Sequence, residues 1–138
     1  MAAGVIVVDS SVWIEFFRAT GSSAHLTLRS LLNEPAPLAT TEIVVMEALA
    51  GVRSERERRA VREHLLALPM LALRGVLDYE RAADLYRRVR SRGVTPRQLT
   101  DLLIVVCALD AGASLLHADR DFDRVAEATG LTIHPHLP

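Results

Sequence analysis

Val5-Ile6-Val7-Val8-Asp9-Ser10-Ser11 consists of four β-branched residues followed by an acid and two serines. The apolar run shows no polar alternation, which predicts a strand buried on both faces. Asp9 and the serines are residues that cap helices, and we predict a helix that continues to about Arg18. A buried strand that leads directly into a helix is typical of a parallel sheet covered by helices.

The rest of the chain repeats this alternation of short apolar runs and longer amphipathic segments. No linker or internal repeat divides it, so we expect a single domain over residues 1–138, long enough to bury a core. The further strands are predicted at 38–40, 70–73, 113–117 and 131–133, and the further helices at 26–32, 42–50, 53–68, 78–92, 98–111 and 122–129.

The overall charge gives no general attraction to polyanions. The formal net charge is −1, so any binding of nucleic acid must come from local patches. All sixteen basic residues are arginine, which excludes mechanisms that need a catalytic lysine. The one cysteine, Cys107, lies in an apolar segment and is expected to be a buried, unreactive thiol, as suits a reducing cytoplasm. We expect no signal peptide and no membrane span.

Four acids lie just after predicted strands or in the helices next to those strands. Asp9 follows the first strand, and Asp119 lies two residues past the strand at 113–117. Asp101 opens the helix that leads into that strand, and Glu47 lies about a turn and a half into the helix at 42–50. Ligands of open parallel sheets bind beyond the carboxyl ends of the strands, so the four acids would meet there if the two strands are neighbours.

Four ionised acids in one crevice need a cation, because like charges raise one another's pKa. Oxygen ligands favour Mg²⁺ or Mn²⁺, and such a site supports phosphodiester hydrolysis by a metal-activated water. Taken singly, the aspartates have ordinary alternatives as helix caps or a charged turn. Glu47 lies among apolar neighbours and is harder to explain without a partner or a metal.

The segments 7–12, 43–51, 101–104 and 119–122 resemble the four acidic blocks of a PIN domain, in the order of that family. The match spans most of the chain, and the small size is similar to that of the VapC toxins of VapBC toxin–antitoxin pairs. The resemblance implies a three-layer α/β/α sandwich around a parallel sheet of about five strands in the order 3-2-1-4-5. It also implies Mg²⁺- or Mn²⁺-dependent cleavage of RNA, a VapB-type antitoxin as partner, and a homodimer.

By this resemblance the catalytic, metal-binding residues are Asp9, Glu47, Asp101 and Asp119, with Asp121 as an outer acid and Ser11 as a nearby polar group. The chain departs from the family at His117, where Thr or Ser is more common. We expect His117 only to pack, although a contact that supports the acids is the alternative. We interpret His134-Pro135-His136 as a tail, since two histidines without other soft ligands are a weak metal motif.

An arginine-rich segment without acids precedes Asp101. Residues 85–100 contain Arg87, Arg88, Arg90, Arg92 and Arg97. A solvated helix face is the ordinary explanation, but a nuclease of near-zero net charge needs local positive charge to bind phosphates. We therefore expect this segment to bind RNA, with Arg92 and Arg97 contributing most.

Two other functions compete with a nuclease. A PIN domain without activity could bind RNA or protein, and the intact set of acids argues against it. A phosphoacceptor receiver domain needs a pair of acids after the first strand and a lysine after the fifth. Here the first strand is followed by one acid, and the chain has no lysine.

Overall fold

The computed structural model describes residues 4–138; residues 1–3, part of the start considered for a signal peptide, lie outside the described part. The strands are β1 (Ile6–Val8), β2 (Leu38–Ala39), β3 (Ser114–Leu116) and β4 (Thr132–Ile133). The helices are α1 (Ser10–Phe17), α2 (Ser23–Leu32), α3 (Glu42–Ala50), α4 (Glu55–Leu66), α5 (Val76–Ser91), α6 (Asp101–Asp110) and α7 (Asp121–Thr129). None of the helices in residues 4–138 is both long and apolar enough to span a membrane.

The strands form one parallel sheet in the order β2-β1-β3-β4. The predicted α/β class with a parallel sheet is confirmed, and the relative order of these four strands is the predicted one. β1 lies between β2 and β3, and all three of its residues are buried, as the unbroken β-branched run predicted. The four acids can meet only if β1 and β3 are adjacent, and the structure shows that these two strands are neighbours.

The predicted strand at 70–73 is wrong, so the sheet has four strands in the described part of the chain rather than five. This segment pairs with Thr40 through one parallel bridge. Thr40 N–H donates to the carbonyl of Pro69 at 3.0 Å, and Leu71 N–H donates to the carbonyl of Thr40 at 2.8 Å. The ladder ends there because the next residue, Thr41, already caps α3. The segment does lie beyond β2, where the predicted order placed it.

The predicted interior helix is confirmed as α6. Its residues from Asp101 to Ala108 are all buried, and it packs against α5 and α3. Cys107 is buried within it, and burial raises the pKa of its thiol to about 11, which keeps it protonated and unreactive. The bounds of α3 are the predicted ones, and the bounds of the other helices differ from the predicted ones by one to three residues.

The carboxyl ends of β1 and β3 lie side by side. Val8 is in register with Leu116, and the N–H of Asp9 donates to the carbonyl of Leu116 at 2.9 Å. From β1 the chain passes to β2 on one side and later returns to β3 on the other, so the crevice between β1 and β3 is the point where strand order reverses. The helix α6 leads into β3 and therefore begins at this same edge of the sheet.

Candidate metal centre

A cavity of about 620 Å³ lies at this edge of the sheet. Its walls contain all four predicted acids, together with Ser11 and Arg97. Asp121 and Arg92, which the sequence also pointed to, are not part of its lining. The lining residues, hereafter the acid pocket, are Asp9, Ser10, Ser11, Ile14, Met46, Glu47, Ala50, Arg97, Gln98, Thr100, Asp101 and Asp119.

Asp9 is fixed by the turn that joins β1 to α1. Its side chain is 4% exposed, and its Oδ2 atom accepts hydrogen bonds from the Ser11 N–H at 3.1 Å and the Ser11 hydroxyl at 2.5 Å. Burial raises the pKa of the Asp9 carboxyl, and the hydrogen bonds from Ser11 oppose that rise. The predicted helix cap and the candidate site residue are thus the same side chain.

Ser11 and Ser10 connect the acids to their surroundings. The Ser11 hydroxyl also accepts a hydrogen bond from the Ala118 N–H at 3.0 Å, so it links Asp9 to the loop that follows β3. The Ser10 hydroxyl donates to Oε1 of Glu47 at 3.1 Å, which ties α1 to α3. The sequence interpretation of Ser11 as a nearby polar group did not include Ser10, although its place directly after Asp9 was visible.

The carboxylates of the acid pocket affect one another's ionisation. Burial and the charge of Asp9 raise the pKa of Glu47, and the hydrogen bond from Ser10 opposes the rise. Asp101 is the first residue of α6 and is 8% exposed. Burial, followed by the charges of the other acids, raises its pKa to about 7. The other acids are Asp9, Glu47, Asp119 and Asp121.

Asp119 lies in the loop between β3 and α7. Its Oδ1 atom accepts a hydrogen bond from the N–H of Asp121, the first residue of α7, at 3.0 Å. The Arg97 guanidinium lies 3.9 Å from the same oxygen. Asp121 faces an adjoining pocket instead, and it influences the acid pocket through the effect of its charge on Asp101.

His117 does more than pack, contrary to the sequence expectation. Its ring does lie against Phe122, with centroids 5.4 Å apart. Its Nδ1 atom also accepts a hydrogen bond from the Asp119 N–H at 3.0 Å, and its Nε2 atom lies 3.0 Å from Oδ1 of Asp123. His117 therefore holds the backbone of one of the four acids. The signal in the sequence was the spacing of two residues between a polar side chain and Asp119.

The segment His134-Pro135-His136, which was interpreted from the sequence as a tail, makes defined contacts with the rest of the chain. Nε2 of His136 donates to the His117 carbonyl at 2.6 Å, and Nδ1 of His136 lies 2.7 Å from the Ser23 hydroxyl. The end of the chain thereby fastens the His117 loop to α2. A sequence pattern does not reveal such a contact, because it joins residues nineteen and 113 positions apart.

The family model for the PIN domain matches residues 6–128. The chain belongs to the PIN-domain family. Among its relatives is the VapC ribonuclease Mb1587 of Mycobacterium bovis, 38% identical over 128 residues that cover 92% of this chain and 96% of the relative. Ribonuclease VapC51 of Mycobacterium tuberculosis is 30% identical over 99 residues, or 72% of each chain.

Solved structures share the PIN fold with this chain. VapC20 of Mycobacterium tuberculosis, described as a sarcin-ricin loop cleaving toxin, is 20% identical with a TM-score of 0.73, covering 94% of this chain and 99% of that one. DNA-bound VapBC from Salmonella typhimurium is 20% identical with a TM-score of 0.73, covering 96% of this chain and 98% of that one. At these identities the likeness establishes the fold.

Within this PIN domain the acids share a cavity without forming a closed cage. Across residues 4–138, no three histidine, cysteine, aspartate or glutamate side chains are grouped closely enough to hold one ion by themselves. The acid pocket is open to solvent, since Met46 and Arg97 in its lining are exposed, so water and a ligand can complete a coordination shell. Mg²⁺ typically takes only one or two carboxylates and keeps several waters.

Proposed function

We propose that this chain is a metal-dependent endoribonuclease and the toxin component of a VapBC-type toxin–antitoxin pair. The observation that carries the proposal is the convergence of Asp9, Glu47, Asp101 and Asp119 on one cavity at the switch point of the sheet. Relatives at 38% identity over most of the chain are named VapC ribonuclease or ribonuclease. A PIN domain that only binds RNA would not need four carboxylates that repel one another.

Mg²⁺ or Mn²⁺ fits the donor set of the acid pocket. All four acidic side chains offer hard oxygen ligands, and the described residues that line the cavity include no thiol or imidazole that would select another metal. The pKa of about 7 at Asp101 reflects its burial first and then the repulsion by the neighbouring acids, which a cation would relieve. Asp9, Asp101 and Asp119 would hold the metal or its waters, with Glu47 reaching from α3 on its longer side chain.

When bound, the metal would polarise the scissile phosphate and lower the pKa of an attacking water. The chain's own residues supply the positioning. Ser11 orients Asp9 and joins it to the loop that carries Asp119, while His117 fixes the backbone of Asp119. Arg97 lies 3.9 Å from Asp119 and is the one arginine among the described residues that line the acid pocket, where it would contact a substrate phosphate.

The test is cleavage of a single-stranded RNA by the purified protein with Mg²⁺, with Mn²⁺ and with EDTA. We expect cleavage only with a divalent metal, and its loss in D101N. Binding of RNA without cleavage in either metal would favour the alternative, a PIN domain that has lost its activity. A contaminating nuclease is excluded when D101N, purified in the same way, does not cleave.

The partner we propose is a VapB-type antitoxin, encoded by a short reading frame beside the gene. Solved relatives include VapBC2 from Rickettsia felis, bound to a DNA fragment from its promoter. We further propose a homodimer acting in the cytoplasm, where RNA is available. Co-expression with the product of the adjacent reading frame should yield a complex without ribonuclease activity. An active complex, or no complex, would contradict the toxin role while leaving the nuclease intact.

A further inference from the structure

A second cavity of about 490 Å³ adjoins the acid pocket. Three arginines line it, Arg97, Arg120 and Arg124, and we call it the arginine pocket. Arg120 immediately precedes α7, and Arg124 lies one turn into that helix. The rest of the lining consists of Ser11, Ala118, Asp119 and Asp121.

The arginine pocket carries positive charge that the protein does not neutralise. Within residues 4–138, no carboxylate lies within 4.0 Å of the side-chain nitrogens of Arg120 or Arg124. Arg97 is 71% exposed and approaches only Asp119, at 3.9 Å. Arg74 shows the contrasting arrangement, since its guanidinium is paired with two acids at 3.0 and 2.9 Å. Three guanidinium groups thus face two carboxylates in the arginine pocket.

The two cavities adjoin one another and share three lining residues, Ser11, Arg97 and Asp119. A strand of RNA whose scissile phosphate lies among the acids would therefore extend past Asp119 into the arginine pocket. The acid pocket repels the rest of a polyanionic backbone, and a chain of net charge −1 has no general field to offset that repulsion. Guanidinium groups bind phosphate oxygens through paired, charge-assisted hydrogen bonds.

We propose that the arginine pocket binds a backbone phosphate of the RNA next to the phosphate that is cleaved, through Arg120 and Arg124 with Arg97 shared between the two cavities. The inference rests on the proposed nuclease function. It adds a subsite that contacts a phosphate rather than a base, so the contribution of this subsite to RNA affinity is independent of RNA sequence. The sequence pattern predicted the RNA-binding arginines in the segment 85–100, but that segment does not contain Arg120 or Arg124 and so does not form this subsite by itself.

The test compares two doubly substituted proteins that lose the same charge. R120Q/R124Q removes the arginine pocket's own guanidiniums, and R56Q/R62Q removes two exposed arginines of α4 that lie in neither cavity. Affinity for a fluorescein-labelled twelve-nucleotide single-stranded RNA is measured by anisotropy with Ca²⁺ in place of Mg²⁺, at several salt concentrations. Both variants should keep the wild-type melting temperature, because the four side chains are exposed.

We expect R120Q/R124Q to bind roughly tenfold more weakly at about 0.1 M salt, and R56Q/R62Q to bind as the wild type does. The slope of log affinity against log salt should fall by about 0.7 for each phosphate that the variant no longer binds. Equal affinities and slopes in R120Q/R124Q and R56Q/R62Q would overturn the proposal.

A second measurement locates the phosphate. Once the cleaved bond of the RNA is mapped, a neutral methylphosphonate replaces one phosphate at a time on either side of it. One replacement should weaken binding to the wild type and have little further effect on R120Q/R124Q, since the two changes remove the same interaction. Additive losses at every position would overturn the proposal. If the wild type cleaves no RNA but R120Q/R124Q still binds RNA more weakly than R56Q/R62Q, the proposed function fails and phosphate binding by the arginine pocket stands.

Discussion

The Nδ1 atom of His117 accepts a hydrogen bond from the backbone N–H of Asp119, 3.0 Å away. A serine or threonine hydroxyl makes the same contact with the N–H two residues later when it forms an ST-turn. His117 thus makes the contact that a serine or threonine hydroxyl would make at this position. Because Nδ1 accepts, the proton of the neutral ring lies on Nε2, which faces Asp123 at 3.0 Å.

If a hydroxyl can replace the His117 ring in this hydrogen bond, substitution by threonine and by valine, which are nearly equal in size, should affect RNA cleavage differently. H117T should retain most of the RNA cleavage, because its hydroxyl can accept the hydrogen bond from Asp119. H117V should lose roughly ten- to a hundredfold in kcat, the scale typical of groups that orient metal ligands. Cleavage under single-turnover conditions measures the difference, and melting curves show whether both variants fold alike. Equal activity in H117T and H117V would mean that His117 only packs.

The four acids of the acid pocket should be individually necessary. D9N, E47Q, D101N and D119N each keep the shape of the side chain and remove its charge, and each should lower metal-dependent cleavage at least about a hundredfold. The matched control is E63Q, which changes an exposed acid of α4 remote from the cavity. A variant that cleaves at nearly the wild-type rate would remove its residue from the site.

Asp101 should make the metal-free protein less stable as the pH rises. Its pKa is about 7 in the folded chain and about 3.9 in an unfolded one, so the folded state holds an additional proton between these values. The stability from that proton is fully present below about pH 4 and is lost as the pH rises through 7. The melting temperature in EDTA should therefore fall between pH 5 and pH 8.

D101N tests the origin of that slope. The variant has no proton to lose at this position, so its melting temperature should depend less on pH and should exceed that of the wild type at pH 8. Asp9 and Glu47 also have raised pKa values, which leaves part of the slope in place. Parallel curves for D101N and the wild type would show that Asp101 is ionised in the metal-free pocket at all these pH values.

Mn²⁺ should stabilise the folded protein at pH 8, because the acids converge only in the native state. At a hundred times Kd, a ligand that binds only the folded state adds about 2.7 kcal/mol, or roughly 5 to 10 °C for a domain of this size. The same Mn²⁺ concentration should have a much smaller effect on D101N and D119N. An unchanged melting temperature of the wild type in millimolar Mn²⁺ would contradict a metal site in the acid pocket.

The sequence predicted the elements whose signal is local. The apolar composition of the run at 5–8 and of the helix α6 predicts that both are buried. The positions of the acids beside these two elements then predict that the acids lie at the same edge of the sheet. The segment 70–73 was misjudged because its pairing depends on where β2 ends, which Thr41 sets by capping α3. The contact of His117 was only the alternative interpretation, and Arg124 was missed, for a related reason. The loop between β3 and α7 determines which residues they contact at the site, and no sequence periodicity predicts the path of a loop.

Arg92 and Arg97, the two arginines that the sequence placed nearest the site, differ in their position in the structure. Arg97 lines both cavities, whereas Arg92 is exposed at the end of α5 and lines neither. R97A should therefore weaken RNA binding and reduce the salt slope by about 0.7, while R92A should leave both close to wild-type values. Anisotropy titrations at several salt concentrations measure both quantities. If R92A weakens binding as much as R97A does, the RNA follows α5 before it reaches Asp101, and the sequence expectation for Arg92 holds.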